Sequence, residues 1–217
     1  MGIMTLPNAV LFPGTLLPLY IFEARYRRML TECLQGDRLF AVGLSRPDQG
    51  EEDVEPCDVA GVGLIRTAIG NPDGTSHLVL QGLSRVRIVE FFATPPDLPY
   101  PLARIEALES TGQANASQRE PVVGAVKRLT RVRARLGVKL PPSVIDSLMA
   151  VESPGLFADV VSNTFLESYQ DKQRLLETLD INERLERLEE LLAKQISQFE
   201  LWKQLQGKLP NKHVGQN

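Results

Sequence analysis

Apolar residues change their spacing once along this chain. In the first half they fall in short runs or alternate with polar ones. "LFAVGL" (39–44) is a continuous apolar run and predicts a strand buried on both faces. "VAGVGLIRTAI" (59–69) predicts a second strand, with Gly61 and Gly63 marking a bulge or a close backbone approach. "NPDG" (71–74) is a turn, because Pro72 presets one dihedral and Gly74 tolerates whatever follows. "SHLVLQG" and "SRVRIVEFF" predict two further strands, the latter setting Val86 and Ile88 against a charged face of Arg85 and Arg87. "TPPDLPYP" (94–101) is too rich in proline for a central strand and reads as a loop, and "LARIEALES" as a last strand. The opening stretch, "VLFPGTLLPLYIFEARYRRML" (10–30), combines two patterns. A strand framed by Pro13 and Pro18 gives way at Phe22 to apolar residues at helical spacing. The strand is expected to close the β-domain. The helix, over 22–34, is expected to seal one barrel end with Phe22, Tyr26, Met29 and Leu30, leaving Arg25, Arg27 and Arg28 in water. Short strands at close spacing with one inserted helix predict a small barrel or curled sheet.

"TGQANASQRE" (111–120) is polar and reads as a linker, after which the period becomes helical. Pro121 fits a first helical position, and Val122, Val123, Val126, Leu129, Val132 and Leu136 form a stripe ending at Gly137. Ser143 with Asp146 resembles a capping box, Ser153 and Pro154 start another helix, Asp171 opens a short one, and Asp180 with Glu183 opens the longest. In that last helix Ile181, Leu185, Leu188, Leu192, Gln195, Phe199 and Trp202 form a heptad seam with one polar member. It would be roughly 39 Å long. Either its seam packs on the other helices, or its far end projects and pairs with a second chain as a homodimer. The expected class is therefore α+β, with a β-domain over 1–112, a helical domain over 113–207 and a polar tail over 208–217.

Composition narrows the function classes. The 217 residues are 43% hydrophobic, enough for a substantial core, and the formal charge of −3 supplies no global attraction to nucleic acid or acidic lipid. Cys33 and Cys57 set no disulfide framework, and the first twenty residues lack the pattern of a signal peptide, so a cytoplasmic protein without a membrane span is expected. His77 and His213 are far apart and the cysteines unpaired in spacing, which argues against a metal site. Cys33 falls on the buried stripe of the first helix, as ordinary core. Gly61 and Gly63 form a lone G-x-G with Arg66 at the third glycine position, no G-x-S-x-G elbow occurs, and Glu51, Glu52 and Asp53 belong to an acidic loop. No catalytic residue, cofactor site or metal site is expected.

Three stretches together carry a family likeness. "LPNAVLFPGTLLPLYIFEARYRRML" (6–30), "GVGLIRTAIGNPDGTSHLVLQGLSRVRIVEF" (61–91) and "LFADVVSNTFLESYQDKQRLLETLDINERLERLEELL" (156–192) resemble the amino-terminal substrate-binding domain of the ATP-dependent Lon protease. The likeness is closer still to small bacterial proteins made of this domain alone. It implies a PUA-like β-pseudobarrel followed by a helical bundle, binding unfolded or tagged polypeptides, in the family alongside an ATP-dependent protease. Tyr20 and Ala24 depart from the family's habit of His before "IFE" and Pro after it. Neither a G-x-x-x-x-G-K-[ST] phosphate cradle nor the family's serine–lysine protease segment occurs, so a non-enzymatic binder is expected.

What could hold a polypeptide? Phe91 and Phe92 are neighbours in a strand, so their rings point to opposite faces and cannot share one core. Either the proline loop with Tyr100 covers the second ring, or that ring joins an exposed apolar patch. Tyr20, at the strand-to-helix junction, is a further candidate. The alternative is an RNA-binding PUA-like protein, for which the basic run "KRLTRVRARLGVK" (127–139) is the argument. The acidic pI and the lack of an aromatic-studded strand for stacking bases argue against nucleic acid.

Overall fold

The computed structural model describes residues 1–46, 54–93, 98–114 and 116–206. The acidic triplet at 51–53, Pro95 and Pro96, and the tail with His213 lie outside the described residues. Six strands and six helices are described: β1 (Ile3–Leu6), β2 (Leu16–Ile21), α1 (Ala24–Gln35), β3 (Leu39–Leu44), β4 (Val59–Gly70), β5 (Ser76–Phe92), β6 (Leu102–Leu108), α2 (Ala116–Arg135), α3 (Pro142–Met149), α4 (Pro154–Phe165), α5 (Tyr169–Glu177) and α6 (Ile181–Gln206).

The strands form one mixed sheet in the order β1-β3-β4-β5-β2, with β6 also paired to β5. Among these strands β1 and β3 run parallel, and the other pairs are antiparallel. The two predicted strands after the "NPDG" turn are one continuous 17-residue strand. Its first part pairs with β2 and its last part with β6, while β4 runs along the other side. Curling brings β6 to the start of β1. Gly2 bridges Leu102, Ile3 N donates to Pro101 O (3.1 Å), and Ala103 N donates to Met1 O (2.9 Å). Closure thus comes from β1 and β6, whereas β2, expected to close the barrel, sits at the end of the sheet order. The turn forms as expected, with Gly74 N donating to Asn71 O at 2.9 Å. Gly61 is a site of close backbone approach, because the Leu11 carbonyl lies where its Cβ would stand. Leu11 and Phe12 are thereby pressed into the interior.

Helix α1 begins at Ala24, two residues later than the spacing predicted. Glu23 is still extended, so Phe22 keeps the strand's alternation and shares a face with Tyr20, while Ile21 turns inward. Phe22 is consequently 61% exposed and seals nothing; Tyr26, Met29 and Leu30 do. Arg85 is a second correction. The alternation sets it on a charged face with Arg87, yet it is buried against the helical half, where Asp159 meets it.

In the helical half α2 starts inside the predicted linker, with Pro121 within the helix. Val122, Val126 and Leu129 are buried as their stripe demands. The Ser143–Asp146 box does not form: Pro141 is the N-cap of α3, with no side-chain cap. Ser153 caps α4 by accepting from Leu156 N (3.4 Å), and α5 is capped by Ser168 rather than Asp171. Asp180 caps α6 through the amides of Asn182 (2.9 Å) and Glu183 (3.0 Å). Glu183 itself turns outward to Arg187, so the reciprocal half of that box is absent. The α6 seam is buried at Leu185, Leu188 and Leu192, with Ile196 beside it, in one apolar cluster that also takes in Phe157, Phe165 and the sheet-side residues Val10, Phe12, Leu44 and Val59.

Candidate functional site

Strand register assembles one exposed apolar surface. Tyr20 on β2 lies opposite His77 on β5, which lies opposite Ile69 on β4. Two residues along, Pro18, Val79 and Thr67 make a parallel row. Side chains at alternate positions share a face, so both rows stand on the same side of the sheet. The Tyr20 and His77 ring centroids are 4.7 Å apart, and Phe22 also stacks on Tyr20, at 6.0 Å. Tyr20 is 49% exposed and Ile69 61%. Together with Leu19 and Leu78 the two rows line a groove of about 340 Å³ that contains no carboxylate, lysine or arginine. Such a face can accept apolar side chains with little sequence preference and offers no attraction to a charged segment.

The four residues singled out from sequence do not converge. Tyr20 is in this face. Phe92, 42% exposed, lies at the opposite end of β5 from His77. Phe91 packs against the cluster formed by Ile3, Val62 and Val86. Tyr100 is buried with Tyr26 and Met29, and its hydroxyl donates to Glu32, so it neither covers Phe92 nor offers a ring to a partner. Burial and that bond push the Tyr100 phenol up to about 12, and bonds from Tyr100 and Arg28 lower the Glu32 carboxyl. Phe22, Ile69 and His77 were missed. The signal for Phe22 was present, since Tyr20, Ile21 and Phe22 alternate as strand residues do.

A second groove, of about 420 Å³, lies where the end of α2 meets α6, lined by Leu136, Val138, Phe199 and Trp202. Arg133 borders it, donating to Glu167 (2.7 Å) and to Phe165 O (3.2 Å). Leu201, Trp202 and Leu205 are exposed beyond the packed part of the seam. On α2, Lys127, Arg128, Arg131 and Arg135 reach solvent, with Arg128 paired to Glu200 (3.2 Å). Cys33 is half-buried against the cluster of Tyr26, Met29 and Leu30, its thiol donates to Leu39 O (3.4 Å), and burial pushes that thiol up to about 11. Among the described residues no group of three or more His, Cys, Asp or Glu is placed to hold a metal, and no helix is long and apolar enough to cross a membrane.

Comparison with known proteins places this geometry among relatives. The family model described as the ATP-dependent protease La (LON) substrate-binding domain matches residues 1–194. The Lon protease of Desulfosudis oleivorans is 28% identical over 210 residues, covering 95% of this chain and 25% of that protein. The Lon protease of Dictyoglomus thermophilum is 28% identical over 212 residues, with 96% and 26% covered. The chain therefore spans about a quarter of the length of these relatives, and the matching domain is neither the ATPase nor the protease module. Two solved structures share the fold. The N-terminal domain of a Mycobacterium avium complex Lon protease superimposes with a TM-score of 0.67 at 16% identity, over 88% of this chain and 97% of that one. A Lon N-terminal domain protein from Xanthomonas campestris gives 0.64 at 19% identity, over 87% and 95%.

Proposed function

This chain belongs to the family of ATP-dependent protease La (LON) substrate-binding domains, and from that premise we propose that it binds unfolded polypeptide through the outer face of β2, β5 and β4, without bond-making chemistry of its own. The observation that carries the reading is the row Tyr20–His77–Ile69, in a groove without carboxylate, lysine or arginine, with Phe22 stacked on Tyr20. Unfolded chains expose the aromatic and aliphatic side chains that folded proteins bury, and this face meets them without demanding a sequence. Clients are apolar stretches of unfolded or tagged proteins, and an ATP-dependent protease is the partner that would consume them.

The test is binding of a reduced, carboxymethylated protein that cannot refold. Wild type is expected to retain it with modest salt dependence, and a Tyr20→Ser, Phe22→Ser, Ile69→Ser triple variant to bind about tenfold more weakly at unchanged helicity. Equal binding by the two proteins would remove the face from the account. A second reading, RNA binding, draws on the exposed cations Lys127, Arg131 and Arg135. It would be carried by an affinity for single-stranded RNA that collapses between low and moderate salt, as counterion release requires.

A further inference from the structure

The sequence of β2, Leu-Leu-Pro-Leu-Tyr-Ile, contains no charge, and among the described residues the strand has one partner, β5. Among the described residues no strand pairs with its other edge. Gly82 N donates to Thr15 O (2.9 Å), which sets the phase of the ladder: odd-numbered residues of this stretch turn their backbone groups toward β5, and Leu16, Pro18 and Tyr20 turn theirs away. Among the described residues those outward groups have no hydrogen-bond partner. Pro18 therefore sits where its missing N–H costs the sheet nothing. It is also the strand's one protective device, since most natural edges carry lysines or other charges as well.

We propose that this edge takes up an extended, uncharged client segment as an added strand, a mode that rests on the polypeptide-binding reading above and specifies how the client is held. Leu16 and Tyr20 offer both a donor and an acceptor, and Pro18 an acceptor alone. Along the roughly 14 Å between Leu16 and Tyr20, a client in extended form presents matching groups at every second residue. Its side chains then alternate between the Tyr20 face and the opposite face, where Leu17 and Leu19 are half-buried. Neutrality on both faces selects a segment without charge. A second copy is a poorer occupant, because any full-length pairing of two β2 edges brings two prolines, and so two missing donors, into one ladder.

The probe is a blocked eight-residue peptide of Val, Leu, Thr and Tyr, made also in two forms that carry N-methyl groups on alternate sets of amides. One methylated form is expected to bind at least tenfold more weakly and the other like the parent, with hydrogen exchange at the Leu16 and Tyr20 amides slowed when the parent is bound. Pro18→Ala supplies the missing donor and is expected to tighten binding about threefold to tenfold, the worth of one net hydrogen bond. Equal binding of both methylated forms with unchanged exchange would overturn strand addition while leaving a face-bound client intact. Failure of every peptide to bind would overturn both readings. Self-association of Pro18→Ala in place of peptide binding would make a second copy the occupant and overturn the client.

Discussion

Arg85 on β5 and Asp159 on α4 form a two-pronged ion pair, with N–O distances of 2.9 and 2.5 Å and both side chains 3% exposed. Arg184 of α6, fully buried, adds a third bond to the same carboxylate at 3.2 Å. Its remaining donors go to Thr178 O, Leu179 O and Ser110 Oγ, and Arg85 Nε goes to Leu176 O. One carboxylate thus holds two guanidinium groups between sheet and helices. Burial lowers Arg184 to about 10, with Asp159 acting against the shift.

Removing that carboxylate leaves two buried cations without their counter-charge. Asp159→Asn is expected to cost about 3–5 kcal/mol of unfolding free energy, the range for breaking a buried pair from one side. Replacing all three residues by Leu or Met should cost far less, because no charge is then stranded. Urea unfolding followed by far-ultraviolet circular dichroism measures both. A loss below about 1 kcal/mol for Asp159→Asn would mean that water reaches the cluster.

Two glycines should respond oppositely to a methyl group. At Gly61 a Cβ would run into the Leu11 carbonyl, a backbone atom that cannot swing aside. Gly61→Ala is expected to destabilise by about 1–3 kcal/mol. Gly124 lies on the exposed side of α2, with no neighbouring atom within 4 Å of the place its Cβ would take. Gly124→Ala should stabilise by about 0.5–1 kcal/mol through helix propensity. Thermal melts of the pair test this, and the same sign for both would contradict the packing described.

Periodicity made most elements legible. "LFAVGL" is β3 to the residue, and the valine stripe of α2 and the leucine seam of α6 are buried where helical spacing put them. What escaped was anything set by a distant partner. Arg85 reads as surface in an alternating strand, and only the arrival of Asp159 from α4 makes its burial tolerable. The candidate face depends on the register of three strands, which no local pattern states, so the sequence offers Tyr20 as a candidate without its cross-strand neighbours Ile69 and His77. Phe22 was misplaced because its apolar spacing fits a helix as well as a strand, and the extended Glu23 decides between them.

The buried phenols predict an alkaline weakness. Of the four tyrosines, Tyr26 is raised by burial and Tyr100 is pushed to about 12. An unfolded chain sheds these protons near pH 10, while the folded chain keeps them, so stability falls as pH rises from about 10 to about 12. Cys33, raised to about 11, adds to the same slope from about pH 9. Absorbance at 295 nm should show Tyr26 and Tyr100 ionising above pH 10 in the folded protein and near pH 10 once urea unfolds it. Tyr100→Phe should flatten the slope and let the Glu32 carboxyl rise. Tyr26 and Tyr100 ionising near pH 10 in the native protein would contradict their burial.

The far end of α6 sets up a prediction about association. The seam is buried from Leu185 through Leu192, half-buried at Phe199 and open at Trp202, where Leu201 and Leu205 are exposed as well. Each such side chain covers at most about 150–250 Å² even when fully buried. Three partly exposed ones supply a few hundred Å² per chain, which is short of the area a specific, stable interface requires. Pairing through these residues alone is therefore expected to be weak, leaving the chain monomeric at micromolar concentration. Trp202 is the chain's single tryptophan, so its emission reports this end of the helix directly. Dilution from about 100 to 1 µM should leave that emission unchanged and the sedimentation coefficient at the monomer value. A blue-shifted emission at high concentration, abolished by Leu205→Glu, would show instead that the helix end recruits further surface from a second copy.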